Sequence, residues 1–443
     1  MATFTSAQRQ HLDRILEDAV ASKVLPSASF MVTDARRAIY ERHVGNMVFD
    51  DPASRTIDNN TVFAFCSQTK LVTSIATLQL VEQGKLSLST LASDYWPEIE
   101  SAVLVTSYDP KTQKPTASTS VSTPIIVKHL LNHSSGLDYV MNMNMDFAGP
   151  YAFYSDLYSR DYAKEQPGEE IKAFFRQASG DMPGIPLKFL PGTNCTLQYS
   201  AARTLLTEAA RVLVAYSYAT DILGFIIEKI SGKPLGEYFQ EHIFAPLGIT
   251  SLSFHLDSPE RRQRLLPLTY RNSETGMLER WTFPPPVDVD SIRLHFGGVG
   301  LYGTQRDYLT ILRHLLEIHA PRGDSTTPIL SKASVEALFA PSLPEDTSDG
   351  VAGILGLLQP RLGSTIPKGH AQFSLGLMVN TADVPGKRRA GSGCWSGWAN
   401  TSFFIDPTTG IAAVFATQIG PVGDAGFDEI SEKLEKAVYA ALG

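Results

Sequence analysis

The sequence predicts an α/β (α+β) fold, an antiparallel sheet covered by helices with a mostly helical lobe inserted between the two parts of the sheet. Two observations carry that expectation: a helix–strand–strand pattern opens the chain, and its mirror image, strand–strand–helix, closes it. A third is the period near 3.6 that dominates the middle. Taken in order, Arg9, Asp13, Arg14, Glu17 and Asp18 stand at amphipathic spacing up to about residue 22, and Pro26 breaks that helix. Residues 29–33 and 38–43, β-branched and aromatic, read as strands. Residues 70–82 are apolar on nearly all sides (Leu71, Val72, Ile75, Leu78, Leu80, Val81) and stop at Gly84, the pattern of a helix buried in the core. Residues 107–124, rich in Ser, Thr and Pro, read as an exposed loop. Residues 195–215 follow the Pro191-Gly192-Thr193 turn with a helix-like segment that the surrounding pattern does not require. Residues 401–405 and 411–418 read as strands joined at Asp406-Pro-Thr-Thr-Gly410, and Phe427, Ile430, Leu434, Val438 and Leu442 line one face of a closing helix. This assigns 1–60 and 290–443 to the sheet lobe and 61–289 to the helical lobe.

A chain of 443 residues, 43% of them hydrophobic, buries a large core without covalent staples. Its formal net charge is −8 with no Lys/Arg cluster to break the balance, which argues against a nucleic-acid partner. The N-terminal segment lacks the apolar stretch of a secretory signal, and no apolar run approaches the roughly 20 residues that span a bilayer, so no membrane association is expected. Cys66, Cys195 and Cys394 have no metal-ligand spacing and suit free thiols in a reducing compartment; the expected location is cytoplasmic, with no metal and no organic cofactor. Sequons such as Asn132-His-Ser134 and Asn400-Thr-Ser402 are then chance matches.

Several short patterns lose their chemistry on inspection. Gly298-Val-Gly300-Leu-Tyr-Gly303 fits a dinucleotide fingerprint, but no β-α-β unit surrounds it and no acidic residue follows about 20 positions on, so it reads as a glycine-rich turn. His129 and His133 are spaced like zinc ligands, yet the Glu of H-E-x-x-H is missing and Ser134-Ser-Gly136 ends the helix, so both read as structural. G-x-S-x-G, the nucleophile elbow, does not occur. One constellation survives: Ser67-Gln-Thr-Lys70, the only S-x-x-K, opens the buried helix after Phe63-Ala-Phe65. A Ser and a Lys three apart share a helical face, and a lysine in a dry site loses part of its preference for the charged form, so it can help take the serine proton. The helix N-terminus offers free N–H groups to an oxyanion forming there. The bland alternative is that Ser67 only caps the helix.

Order and context extend this pair. Downstream stands Tyr216-Ser-Tyr-Ala-Thr-Asp-Ile-Leu-Gly224, and Gly391-Ser-Gly-Cys-Trp395-Ser396-Gly397-Trp398 runs directly into the strand at 401. Together with Val127-Lys-His-Leu-Leu-Asn-His133-Ser-Ser-Gly-Leu137 and Gly297-Gly-Val-Gly-Leu301-Tyr-Gly-Thr304, they resemble the motifs of the serine β-lactamase and penicillin-binding-protein superfamily. Within it, the chain is similar to class C-like esterases and to fungal transesterases that acylate polyketides such as statins. The resemblance covers nearly the whole chain and implies a β-lactamase/transpeptidase-like fold. It also implies Ser67 as nucleophile, Lys70 as its activating neighbour and Tyr216 as second base and later acid. Tyr199 heads a competing Y-S pair without the Asp, Leu and Gly that follow Tyr216. The family runs from P-G-T almost directly into Y-S, which marks 195–215 as an insertion.

The third motif departs from the family. Penicillin-recognising members carry K-T-G or H-T-G at the strand edge, where a cation holds the drug's carboxylate; here the position reads Trp395-Ser396-Gly397. An indole offers no such charge, and Trp395 and Trp398 favour an apolar acyl chain or ring. The resemblance implies an oxyanion hole made by the backbone N–H groups of Ser67 and Trp398, with Trp395, Ser396 and Gly397 as the substrate-binding strand. The expected function is a serine hydrolase or acyltransferase that forms an acyl-enzyme on Ser67 from a small-molecule ester or acyl thioester. Water, an alcohol acceptor or an acyl carrier protein would be the second partner. The alternatives are a β-lactamase or D-amino-acid peptidase, and a non-catalytic binding protein on this fold.

Overall fold

In the computed structural model, which describes residues 3–110, 114–139, 156–192, 216–281, 292–320, 327–344, 347–358, 360–420 and 422–442, the two ends of the chain meet in one sheet. Helix α1 (Ser6–Ala21) starts at a capping box: the Thr5 side chain accepts from the Gln8 N–H while the Gln8 side chain accepts from the Thr5 N–H. Strands β1 (Ser27–Asp34) and β2 (Ala38–Gly45) follow as an antiparallel pair. The middle of the chain supplies α2 (Thr69–Glu82), α3 (Ala219–Ser231) and α4 (Gln305–His319). The far end returns as β3 (Ala371–Phe373), β4 (Met378–Asn380), β5 (Ser392–Gly397), β6 (Thr401–Asp406), β7 (Ile411–Ala416) and α5 (Ala425–Leu442).

Among the described residues the main sheet has the order β3-β4-β5-β6-β7-β1-β2 and is antiparallel throughout. The seam between the chain ends is the β1–β7 ladder, with Ser29 opposite Ala416 and Asp34 opposite Ile411. Every residue of β1 and β7 is buried, because helices cover both faces. Alternation sorts the side chains: Phe404 and Phe415 face α5, where Phe415 stacks on Phe427 at 4.7 Å, and Phe403 faces α4, where it meets Tyr308 at 5.5 Å. The β6–β7 turn is held by Asp406, whose carboxylate accepts from the Thr409 backbone N–H and hydroxyl and from Tyr439 of α5, while Gly410 supplies a positive φ of 76°.

One expectation is corrected. The stretch read as a loop at 107–124 carries strand at 107–108 and 115–120: strand Val103–Tyr108 pairs antiparallel with strand Pro115–Ser120, Leu104 opposite Thr119. The second strand is mostly exposed, as its composition suggests, but its threonines suit a pleated edge and its Pro occupies the first position, where a missing N–H costs little. The 195–215 segment, with Tyr199 and Cys195, lies outside the described residues. Among the described residues no helix is long and apolar enough to cross a membrane.

A buried ion pair fixes α5 to the sheet. Arg388, between β4 and β5, forks onto Glu435 of α5 with Nε–Oε1 and Nη2–Oε2 distances of 2.8 and 2.9 Å, both side chains being buried. Removing one partner strands the other charge. Glu435→Leu should therefore destabilise the fold by about 3–5 kcal/mol in urea unfolding, whereas the double replacement Arg388→Met, Glu435→Leu should recover most of that loss.

Candidate active site

The site is built around the entry to α2. Cys66 takes a left-handed φ of 48°, uncommon for a residue with a side chain, and the turn Cys66–Gln68 runs directly into the helix. The Thr69 hydroxyl donates to the Cys66 carbonyl at 2.7 Å and the Tyr308 hydroxyl to the Gln68 carbonyl at 2.9 Å, so the turn is held from both sides. Ser67 is 7% exposed and Lys70, one helical turn on, 2% exposed. The expected pair is present: Lys70 Nζ lies 3.4 Å from Ser67 Oγ.

An ammonium in a dry site must place all three of its donors. Besides Ser67, Lys70 Nζ reaches the Tyr139 hydroxyl at 3.3 Å and the Gly298 carbonyl at 3.0 Å. The glycine-rich turn at 297–300 is thus a clasp. Gly297 accepts from the Thr73 hydroxyl at 2.6 Å, the Leu301 N–H donates to the Thr69 hydroxyl at 3.1 Å, and the Gly298 N–H donates to Asp221 of α3 at 2.7 Å. A Cβ on Gly298 would fall 2.8 Å from the Asp221 carboxylate, so the close approach requires glycine.

Tyr216 stands in the same place but in another posture than expected. Its hydroxyl, expected within hydrogen-bond reach of Ser67 or Lys70, is buried without a partner among the described residues, and Lys70 Nζ instead sits 4.7 Å from its ring centroid. The reason is donor count: Ser67, Tyr139 and Gly298 use the three Lys70 protons, which leaves Tyr216 the cation–π contact. The two tyrosines are joined by the Tyr139 N–H donating to the Tyr216 carbonyl at 3.3 Å, and their rings meet edge to face at 5.3 Å. Tyr139 and Asp221 had been assigned no role. Tyr139 lies two residues past His133-Ser-Ser-Gly-Leu137, and Asp221 is the acid of the Tyr216 motif, which is the signal that pointed to them.

The strand-edge motif divides into two roles. Trp395 is buried, with its ring 5.3 Å from Tyr216, 5.2 Å from Phe373 and stacked 6.0 Å from His133. Its Nε1, like Nδ1 of His133, has no hydrogen-bond partner among the described residues. The Trp398 ring, one residue past the end of β5, meets Trp281 edge to face at 5.4 Å. The main chain of Trp398 stays close, since its N–H and that of Ala399 face the Cys66 thiol, which burial pushes up to about 11. Ser396 is buried beside Trp395, and a Cβ on Gly397 would fall 2.3 Å from the Phe65 carbonyl, so only glycine lets β5 approach the entry to the Cys66–Gln68 turn this closely. His129 is structural as expected: its Nδ1 accepts from the Ile126 N–H at 3.4 Å, and its ring packs where a Gly192 Cβ would lie. His133 belongs to the aromatic wall. Among the described residues no group of three or more His, Cys, Asp or Glu is placed to hold a metal.

The beta-lactamase family profile matches residues 12–435. The chain belongs to the beta-lactamase family. Its similar proteins include a lovastatin esterase of Penicillium rubens, 27% identical over 97% of this chain and 98% of that protein. They also include the monacolin J acid methylbutanoyltransferase of Aspergillus terreus, 26% identical over 97% and 95%. Among solved structures, unliganded simvastatin synthase LovD from Aspergillus terreus superposes with a TM-score of 0.75 at 24% identity, covering 98% of this chain and 99% of that one. EstCE1, a hydrolase with promiscuous acyltransferase activity, gives 0.70 at 19% identity over 98% of both chains. The shared architecture is the β-lactamase/transpeptidase-like fold.

Burial first, and then the Lys70 charge, press the His133 imidazole down to about 3 from its ordinary 6.5. A group so depressed is neutral in the fold and protonates first in the unfolded chain. Stability is therefore full above about pH 6.5 and falls as the pH drops toward 3. His133→Phe should flatten that slope in urea midpoints measured from pH 7 down to pH 4, by about one proton's worth.

Proposed function

We propose that this chain is a serine esterase or transesterase that acylates Ser67 with a small-molecule carboxylic ester or acyl thioester. The observation that carries this reading is the buried Ser67–Lys70 pair with an unpartnered Tyr216 hydroxyl beside it. In this reading Ser67 Oγ attacks the acyl carbon as its proton passes to Tyr216, which enters the cycle as the phenolate paired with the Lys70 ammonium. The bond to the leaving oxygen or sulfur breaks, and the leaving group takes that proton through Tyr216. The carbonyl oxygen, negative in the tetrahedral intermediate, is received by the N–H groups of Ser67 and Trp398. A water or an alcohol then attacks the acyl-enzyme by the reverse proton path, and an acyl carrier protein is a reasonable donor.

The wall of Trp395, Phe373, His133 and Tyr216 favours an uncharged acyl group. The activities of the relatives, a lovastatin esterase and a methylbutanoyltransferase, support small esters of secondary-metabolite type. Free Cys66 and Cys394 suit a cytoplasmic setting.

A fluorophosphonate should add one equivalent of mass, located on Ser67, and Ser67→Ala should abolish both labelling and p-nitrophenyl butyrate turnover while leaving the circular dichroism spectrum unchanged. Activity above about a tenth of the parent rate would remove Ser67 from the nucleophile role. Lys70→Ala should be comparably severe, and Tyr216→Phe should lower kcat by about a hundredfold or more. For substrate class, kcat/KM for p-nitrophenyl butyrate should exceed that for nitrocefin by at least about a hundredfold, because a β-lactam carboxylate finds an indole where a cation would be needed. Equal values would overturn the apolar-acyl reading.

A further inference from the structure

Asp221 has no place in that reaction scheme, yet it is fully buried in the first turn of α3. Its two oxygens both accept: Oδ1 from the Gly298 N–H at 2.7 Å and Oδ2 from the Tyr158 hydroxyl at 2.7 Å. The Tyr158 oxygen in turn lies 2.8 Å from the Tyr139 oxygen, and Tyr139 lies 3.3 Å from Lys70 Nζ. Each hydroxyl has one proton, which fixes the direction of the chain. A carboxylate only accepts, so Tyr158 donates to Asp221, Tyr139 donates to Tyr158, and the Tyr139 oxygen is left to accept from Lys70. A second path closes the loop, since Gly298 donates its N–H to Asp221 and accepts from Lys70 through its carbonyl.

We infer that Asp221 is a positioning residue for Lys70: through Tyr158 and Tyr139 on one side and Gly298 on the other, it supplies the counter-charge that keeps the Lys70 ammonium aimed at Ser67. The same chain settles the roles of the two tyrosines next to Lys70. Tyr139 has its proton committed to Tyr158 and serves Lys70 as an acceptor, which leaves Tyr216 as the hydroxyl able to exchange a proton with Ser67 or a leaving group. Other groups facing Lys70 do not replace Asp221. The Cys66 thiol and the His133 imidazole are both driven toward their neutral forms by burial, and Tyr139, Tyr158 and Tyr162 are phenols that burial keeps protonated; burial also raises the Asp221 carboxyl, a rise that the Lys70 charge and the hydrogen bonds from Tyr158 and the Gly298 N–H oppose.

The inference rests on the reading of Ser67 and Lys70 above, and its test separates the two. Asp221→Asn keeps the shape, with the Asn oxygen able to accept from Gly298 and its NH2 able to donate to the Tyr158 oxygen, but removes the charge. With p-nitrophenyl butyrate, and with sites counted by fluorophosphonate labelling taken to completion, kcat per labelled site should fall by about tenfold or more with KM within about twofold. A carboxylate favours the protonated form of a nearby base, so its loss should move the acid limb of the kcat–pH profile to lower pH, by about one unit. A residue that only supports the fold would lower the number of labelled sites and leave that limb in place. Should Asp221→Asn yield too little folded protein, Tyr139→Phe, Tyr158→Phe and their double variant carry the test. Each single change should lower kcat by about three- to tenfold, with the double variant no slower than the slower single one. An unmoved acid limb in Asp221→Asn, or multiplicative effects in the tyrosine pair, overturns the inference. Absence of labelling at Ser67 in the parent protein would instead overturn the proposed function.

Discussion

The buried Lys70 side chain ties the parts of this molecule together. Moving a cation such as that of Lys70 out of water costs several kcal/mol even after the protein relaxes, and only close, well-directed acceptors offset it. The three acceptors come from distant parts of the chain: the Ser67 hydroxyl one turn away, Tyr139 beyond the α2 region, and the Gly298 carbonyl from the turn ahead of α4. Satisfying one charge therefore ties together segments that share no secondary structure. The contacts that set Lys70 against Ser67 are the ones that make the core electrically tolerable, so the candidate site and the fold are two aspects of one constraint.

The surrounding wall follows another rule. Tyr216, Trp395, His133 and Phe373 meet at 5.0 to 6.0 Å in tilted, edge-on and stacked arrangements, which lets large rings fill the space while leaving polar edges unengaged. Unengaged polar atoms in a buried wall are costly, and they persist where a ligand completes them. The glycines do the opposite work. Gly298 and Gly397 bring main chain to within contact of Asp221 and Phe65, so that backbone rather than side chains shapes the floor.

Much of this was legible from residue order. Helices α1, α2 and α5 and strands β1, β2, β6 and β7 carry strong periodicity or near-continuous apolar runs, and the pairing of Ser67 with Lys70 follows from helical spacing alone. Strands β3 and β4 are three residues each, too short for any period to register. The hairpin at 103–120 was hidden because a Ser/Thr/Pro composition signals exposure correctly and irregularity wrongly. The partnership of Lys70 with Tyr139 spans 69 positions, and that of Asp221 with Gly298 spans 77. Nothing local encodes such contacts. Tyr216 was found by its motif, but its posture depends on how many protons Lys70 has left to give, which is a property of the assembled core.

The ladder between β1 and β7 has a bearing on how the chain is made. A ribosome releases β1 several hundred residues before β7, so an all-buried strand with a free edge must wait through that span of synthesis for its neighbour. A hydrophobic edge left open is a template for wrong pairing, and contacts between chain ends are the slowest to form. The early hairpin therefore depends on shielding by α1 or by a chaperone until release. How much active protein a cell obtains is set by that waiting period as well as by the stability of the finished fold.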